Sequence, residues 1–175
     1  MKTIKRLLIL LAIILPFHLY AQPTTSNVES NGDYKAHAEG WLVDINEAYD
    51  ISTKTGKPIM ANFTGSDWCG WCKKLKAEVF DQAAFKTWAD KNVVLVELDF
   101  PRRFQVPENI RKQNASLQQA FQVTGYPTIW LFNLVKNEQG QFTIEALGKT
   151  GYVKGVPAFT DGIDNMIKQK KTTNN

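Results

Sequence analysis

The sequence predicts an α/β fold: a mixed four-stranded sheet with helices on both faces and an extra N-terminal helix. Three observations carry this. Two apolar runs, residues 59–63 and 93–99, are separated by segments of helical period, which implies a right-handed parallel crossover. Two further strand-like runs, 127–132 and 142–147, are joined by a polar turn around 137–140, so they must be antiparallel. Taken in order, the elements read α-β-α-α-β-α-β-β-α, and such a sheet needs cover on both faces.

The first 21 residues read as a secretory signal. Lys2, Lys5 and Arg6 precede nine apolar residues, 7–15, and Pro16 ends the run. That length suits a signal core and falls well short of the ~20 residues of a spanning helix. No cysteine lies near Ala21, which excludes a thioether-linked lipid there. Three of the four net positive charges belong to this leader, so the rest of the chain is close to +1. Its basic character is no argument for nucleic acid. Residues 22–37 are polar, without apolar period, and read as a flexible linker. The domain follows as 38–168, and 169–175 is a polar tail. His37 reads as an exposed histidine. With no other histidine outside the leader and only two cysteines, a metal site is not expected.

Within the domain, residues 41–54 have the spacing of an amphipathic helix, with Asp44 as cap and Gly56 as stop. A buried strand covers 59–63. A helix over 69–80 should bury Leu75, Val79 and Phe80 and expose Lys73, Lys74 and Lys76. Asp81 should cap another helix over 82–91, with Phe85 and Trp88 inward. Residues 100–114, rich in proline, arginine and lysine, read as a loop leading to a helix over 115–122; their basic groups read as a solvated face. Gly155 or Pro157 opens a last helix over 158–168.

Both cysteines, Cys69 and Cys72, sit between the first strand and the second helix, within WCGWCK. A bridge across so short a loop removes little entropy from the unfolded chain, so stability is a poor reason for it. At i and i+3 on a first helical turn, the two thiols share one face. The helix N-terminus offers unpaired N–H groups and partial positive charge, which favour a thiolate. Cys69, the outer residue, is the expected low-pKa nucleophile, with Lys73 and Lys74 adding positive charge, and Cys72 is the resolving thiol. Gly70 should let the turn fit. Trp68 and Trp71 should flank the sulfurs with apolar surface that shields Cys72 and receives a partner chain.

WCGWCK after a buried strand, together with Gly125-Tyr126-Pro127-Thr128 just before a later strand, resembles the thioredoxin superfamily. FTGSDWCGWCKKLK is similar in particular to exported bacterial thioredoxin-like proteins. The resemblance covers roughly residues 38–168 and implies a thioredoxin fold. It implies a cis-proline at Pro127 facing the dithiol, and a substrate-backbone contact at Tyr126. It implies a thiol–disulfide oxidoreductase without a cofactor, periplasmic or secreted. Its partners would be disulfide-containing exported proteins and a membrane electron-relay protein, and it would act as a monomer. One departure stands out: where thioredoxins carry a buried acid below the second cysteine, this chain has Asn62, which cannot take a proton. Reduction of partner disulfides is the expected activity. Oxidation or isomerisation of exported proteins, and non-catalytic peptide binding, remain the alternatives.

Overall fold

In the computed structural model, which describes residues 34–173, the central strand is β1, Ile59–Thr64, buried along its whole length. β2, Val94–Asp99, pairs with it in parallel; β3, Thr128–Lys136, pairs antiparallel on its other side. β4, Phe142–Thr150, closes a hairpin on β3, giving the order β2-β1-β3-β4. The expected signal at 1–21, the linker up to residue 33 and the last two residues of the tail lie outside the described residues.

Alternation along the strands divides the interior in two. Ile59, Ala61 and Phe63 join Val94, Val96, Leu98 and Phe132 in one core. Met60 joins Ile129 and Leu131 in the other. Because both faces are covered, β1 is buried throughout and apolar except at Asn62 and Thr64. Helices α1, Ile45–Thr55, and α4, Glu108–Ala120, serve the first core through Ile45, Ala48, Leu117 and the following Phe121. The second core takes α2, Gly70–Leu75, α3, Ala83–Asn92, and α5, Val156–Thr173, through Leu75, Phe85, Ala89, Phe159 and Ile163.

Several boundaries differ from expectation, each for a local reason. α1 begins at Ile45 rather than at residue 41: Asp44 caps it by accepting from the Asn46 N–H at 2.8 Å, and left-handed Gly56 ends it. Leu42 is instead extended and bridges Val96 at the edge of β2. The helix expected over 69–80 is α2 followed by a π-helical segment, Lys76–Phe80. Its Asp81 N–H bonds to the Lys76 carbonyl, five residues back. Asp81 therefore closes that segment, and its carboxylate pairs with Lys76 at 2.7 Å. It does not cap α3, whose N-cap is Gln82.

α4 starts at Glu108, seven residues before the expected 115, directly after Pro107. Pro107 supplies an extended entry, and Glu108 pairs with Arg111 and Lys112 one turn on, so the basic residues belong to a helix face. β3 and β4 run longer than expected, with an irregularity where Phe132 pairs with Ala146 and Leu131 with Gly148. α5 opens after left-handed Gly155 and continues through 170–173, where a polar tail was expected.

Phe85 is fully buried among the rings of Trp41, Phe80, Trp88 and Phe159, at centroid distances from 5.1 to 6.4 Å. Phe85→Ala is expected to lower stability by about 3–5 kcal/mol, read as a shift of the urea unfolding midpoint.

Candidate active site

β1 ends at Thr64, and the chain turns through Gly65, Ser66, Asp67 and Trp68 before α2 begins. Short bonds hold this turn. The Gly65 carbonyl accepts from the Trp68 and Cys69 N–H groups at 3.2 and 2.8 Å. Buried Asp99, at the end of β2, takes the Ser66 N–H on one oxygen at 2.8 Å and the Ser66 hydroxyl on the other at 2.6 Å. The Asp67 carboxylate accepts from the Arg102 and Arg103 N–H groups, which anchors the segment after β2 to the same turn.

Cys69 is the N-cap of α2, and its sulfur accepts from the Cys72 N–H at 3.2 Å. The two cysteines form a disulfide, with Cα atoms 5.2 Å apart. Exposure does not separate them as expected: Cys69 is 6% exposed and Cys72 5%. What distinguishes them is the cap position. The flanking lysines are engaged elsewhere. Lys73 donates to the Asp67 carbonyl at 2.8 Å, and Lys74 lies over the rings of Trp71 and Tyr152 at 5.2 and 5.5 Å.

Trp68 is clamped on every side. Its indole N–H donates to the Phe100 carbonyl at 2.8 Å, the Arg102 guanidinium stacks 3.8 Å from the ring, and Tyr126 meets it edge-on at 5.8 Å. The Tyr126 hydroxyl accepts from Gln118 at 2.6 Å, and burial raises its pKa. The Tyr126–Pro127 peptide is cis. Trp71 sits apart from this cluster: it is 58% exposed and leans on Tyr152 at 5.0 Å. The Tyr152 hydroxyl donates to Glu78 at 2.5 Å, and that bond does most to push the phenol up to about 12.

The glycine that the turn requires is Gly65 and not Gly70. A Cβ on Gly70 would meet nothing within 4 Å, whereas one on Gly65 would fall 2.4–2.7 Å from the Trp68 indole.

Below Cys72, on the face of the sheet under α2, β1 presents Asn62 and β2 presents Glu97 as register partners. The Glu97 carboxylate accepts from the His37 and Ala38 N–H groups at 2.5 and 3.2 Å, which seats the end of the expected linker against the sheet. Burial pushes Glu97 up to about 7, with Asp99 adding to the effect and the two N–H donors and Lys76 opposing it. Tyr34 is raised by burial and then by Asp99 and Glu97. Ser66, Asp99, Glu97 and Tyr152 were not singled out from the sequence. Two acids spaced by two in an otherwise apolar strand were the available signal, since period two puts Glu97 and Asp99 on one face.

Residues 45–154 match the thioredoxin-like domain family. The disulfide bond reductase DsbH of Chlamydia pneumoniae is 34% identical over 110 residues, 63% of this chain and 66% of that protein. The thioredoxin-related protein DsbJ of the same organism is 28% identical over 136 residues, 78% of this chain and 37% of that protein. The chain thus spans just under two thirds of the first relative and little over a third of the second. Among solved structures, a DsbH oxidoreductase aligns with a TM-score of 0.62 at 29% identity, covering 79% of this chain and 94% of that one. A thioredoxin from Thermus thermophilus aligns at 0.51 and 16% identity, over 70% and 82% of the two chains, a likeness of fold.

Gly65→Ala is expected to cost about 1–3 kcal/mol, because the clamped indole cannot yield, and to lower the unfolding midpoint while changing tryptophan fluorescence. The native state also holds the Glu97 proton more tightly than the unfolded chain, at about 7 against 4.5. This contribution to stability is complete below about pH 4.5 and is lost as pH rises through about 7, at a cost of up to about 3 kcal/mol. Urea midpoints should therefore fall between pH 5.5 and pH 8, and Glu97→Gln should flatten that slope.

Proposed function

This chain belongs to the thioredoxin-like domain family, and from that premise we propose that it is an extracytoplasmic thiol–disulfide oxidoreductase reducing disulfides in exported partner proteins. The observation that carries the proposal is the Cys69–Cys72 pair at the head of α2, with the Cys72 N–H aimed at the Cys69 sulfur. An N–H donor at that place stabilises a sulfur carrying negative charge. The similarity to a protein named as a disulfide bond reductase supports the direction. The charged n-region and apolar run at the start of the sequence support export.

In the reduced protein, the Cys69 thiolate attacks one sulfur of a partner disulfide. The partner's other sulfur leaves as a thiolate and takes a proton, and a mixed disulfide joins Cys69 to the partner. Cys72 then loses its proton and attacks the Cys69 sulfur. The remaining partner sulfur departs as a thiolate, and Cys69–Cys72 is oxidised. Two electrons pass to the partner for each turn. The pair must then be reduced again, and outside the cytoplasm a membrane electron-relay protein is the fitting donor. Trp68, Tyr126 and Pro127 form the wall against which the partner chain lies, with Gly70 and Trp71 beside the sulfurs.

Equilibration with glutathione buffers tests the direction. A reductase should lie toward the thioredoxin end of the range, near about −270 mV; a value near about −120 mV would instead mark an oxidant and overturn the proposal. Insulin reduction at pH 7 should be abolished by Cys69→Ser. No insulin reduction by the native protein, with its cellular role intact in Cys69→Ser, would point to peptide binding without chemistry.

A further inference from the structure

Cys72 is 5% exposed, yet the second half of the exchange requires it to lose a proton. The groups beneath it are arranged for that. A cavity of about 20 Å³ lies under Cys72, and Asn62, Glu97, Thr64, Lys73 and Lys76 line it as well. That is room for about one water molecule, which needs two to four polar partners. The polar partners are present. The Asn62 side-chain oxygen is buried and accepts no hydrogen bond, so it faces this space with an unmet demand for a donor. Glu97, its register partner on β2, brings a carboxylate to the same cavity.

We propose that Glu97 receives the Cys72 proton through a single water held in this cavity, while Asn62 orients that water. The inference rests on the redox reading of the dithiol. The water accepts from the Cys72 S–H and donates one hydrogen to the Asn62 oxygen and the other to a Glu97 oxygen. As Cys72 attacks the mixed disulfide, its proton passes to the water and a water proton passes to Glu97. The Cys72–Cys69 bond forms, the Cys69–partner bond breaks, and the electron pair leaves on the partner sulfur. Charge is conserved: the carboxylate is neutralised and the leaving thiolate carries the negative charge. The proton returns to solvent or to Cys72 when the pair is next reduced.

The surroundings suit Glu97 to this task. Asp99 lies two residues along the same face, Lys76 and Lys73 approach from the helical side, and Tyr34 and His37 come from the segment before Trp41. Burial places the carboxyl near neutrality, with Asp99 adding to the effect and the His37 and Ala38 N–H groups and Lys76 opposing it, so that it can both take and release a proton. The backbone bonds from His37 and Ala38 keep it aimed without consuming its capacity, because each carboxylate oxygen has a second lone pair.

Reaction of the full reduced protein with excess 5,5′-dithiobis(2-nitrobenzoate) separates the two steps. Attack by Cys69 releases thionitrobenzoate in a phase that depends on reagent concentration. Attack by Cys72 on the Cys69 adduct releases more in a phase that does not. In the native protein this second phase should rise with pH to half-maximum near the Glu97 value of about 7. Glu97→Gln should slow it by about 10- to 100-fold at pH 7 and move its inflection toward the ordinary thiol range near about 8.5, with the first phase within about twofold of native. Asn62→Leu, which fills the cavity and removes the acceptor, should slow the second phase while Glu97 remains. Adding Asn62→Asp to Glu97→Gln should restore it.

A second phase unchanged by Glu97→Gln would overturn the inference and leave Glu97 as a latch for His37 and Ala38. So would the same loss caused by His37→Gln alone. If Glu97→Gln does not fold, the native profile still decides, since an inflection near about 8.5 contradicts proton transfer to Glu97. Absence of the first phase in the native protein would overturn the redox reading itself, and the inference with it.

Discussion

The parallel register of β1 on β2, from Ile59 opposite Val94 to Thr64 opposite Asp99, is the constraint on which the site depends. It carries the chain into the turn before Cys69 at the level where β2 ends. Asp99 is therefore within reach of both Ser66 donors, and Glu97 lies beside Asn62 below Cys72. A slip of β2 by one residue would turn both acids into the opposite core, with Phe63 and Phe132. Apolar burial along 59–63 and 94–98 thus fixes the chemistry above it. On the α2 side, Met60 and Leu95 still belong to the core, and the polar residues Asn62, Thr64, Glu97 and Asp99 follow toward the end that bears the dithiol.

The loop that bears the dithiol is held by partners distant in sequence. Asp99 grips Ser66, the Asp67 carboxylate grips the backbone after Pro101, and Trp68 is pinned between Arg102, Tyr126 and the Phe100 carbonyl. Such fixing suits a pair of sulfurs that must meet one another to form their bond. Trp71 is the contrasting element. It lies open on the other side, supported by Lys74 and Tyr152, and offers an apolar surface beside the cysteines.

Much of this was legible in the sequence because it is local. The two cysteines with their flanking tryptophans, the strand-like run before them and the Asp44 and Gly56 caps all follow from short patterns. Tyr126 and Pro127 were found by resemblance, and the structure brings Tyr126 to Trp68. What escaped is non-local. Residues 93–99 read as a strand, but that Glu97 and Asp99 face Cys72 and Ser66 depends on a pairing with residues more than thirty positions away. The start of α4 was hidden by two prolines and a basic stretch whose charges are balanced only once Glu108, Arg111 and Lys112 share a helix face. The π-helical turn after Leu75 rests on a shifted hydrogen-bond pattern, as in the Asp81 N–H to the Lys76 carbonyl, which apolar spacing does not reveal. Gly70 looked like the necessary glycine because it lies between the cysteines, whereas the indole of Trp68 makes Gly65 the necessary one.

In the proposed exchange Cys69 attacks the partner and Cys72 releases it. Trapping measures this most directly. Cys72→Ala and Cys69→Ala proteins, each exported in cells and quenched with acid, would be resolved without reductant and again after dithiothreitol. This division of labour predicts dithiothreitol-sensitive complexes with Cys72→Ala, linked through Cys69, and none with Cys69→Ala. Complexes formed by Cys69→Ala instead, or by neither variant, would contradict it.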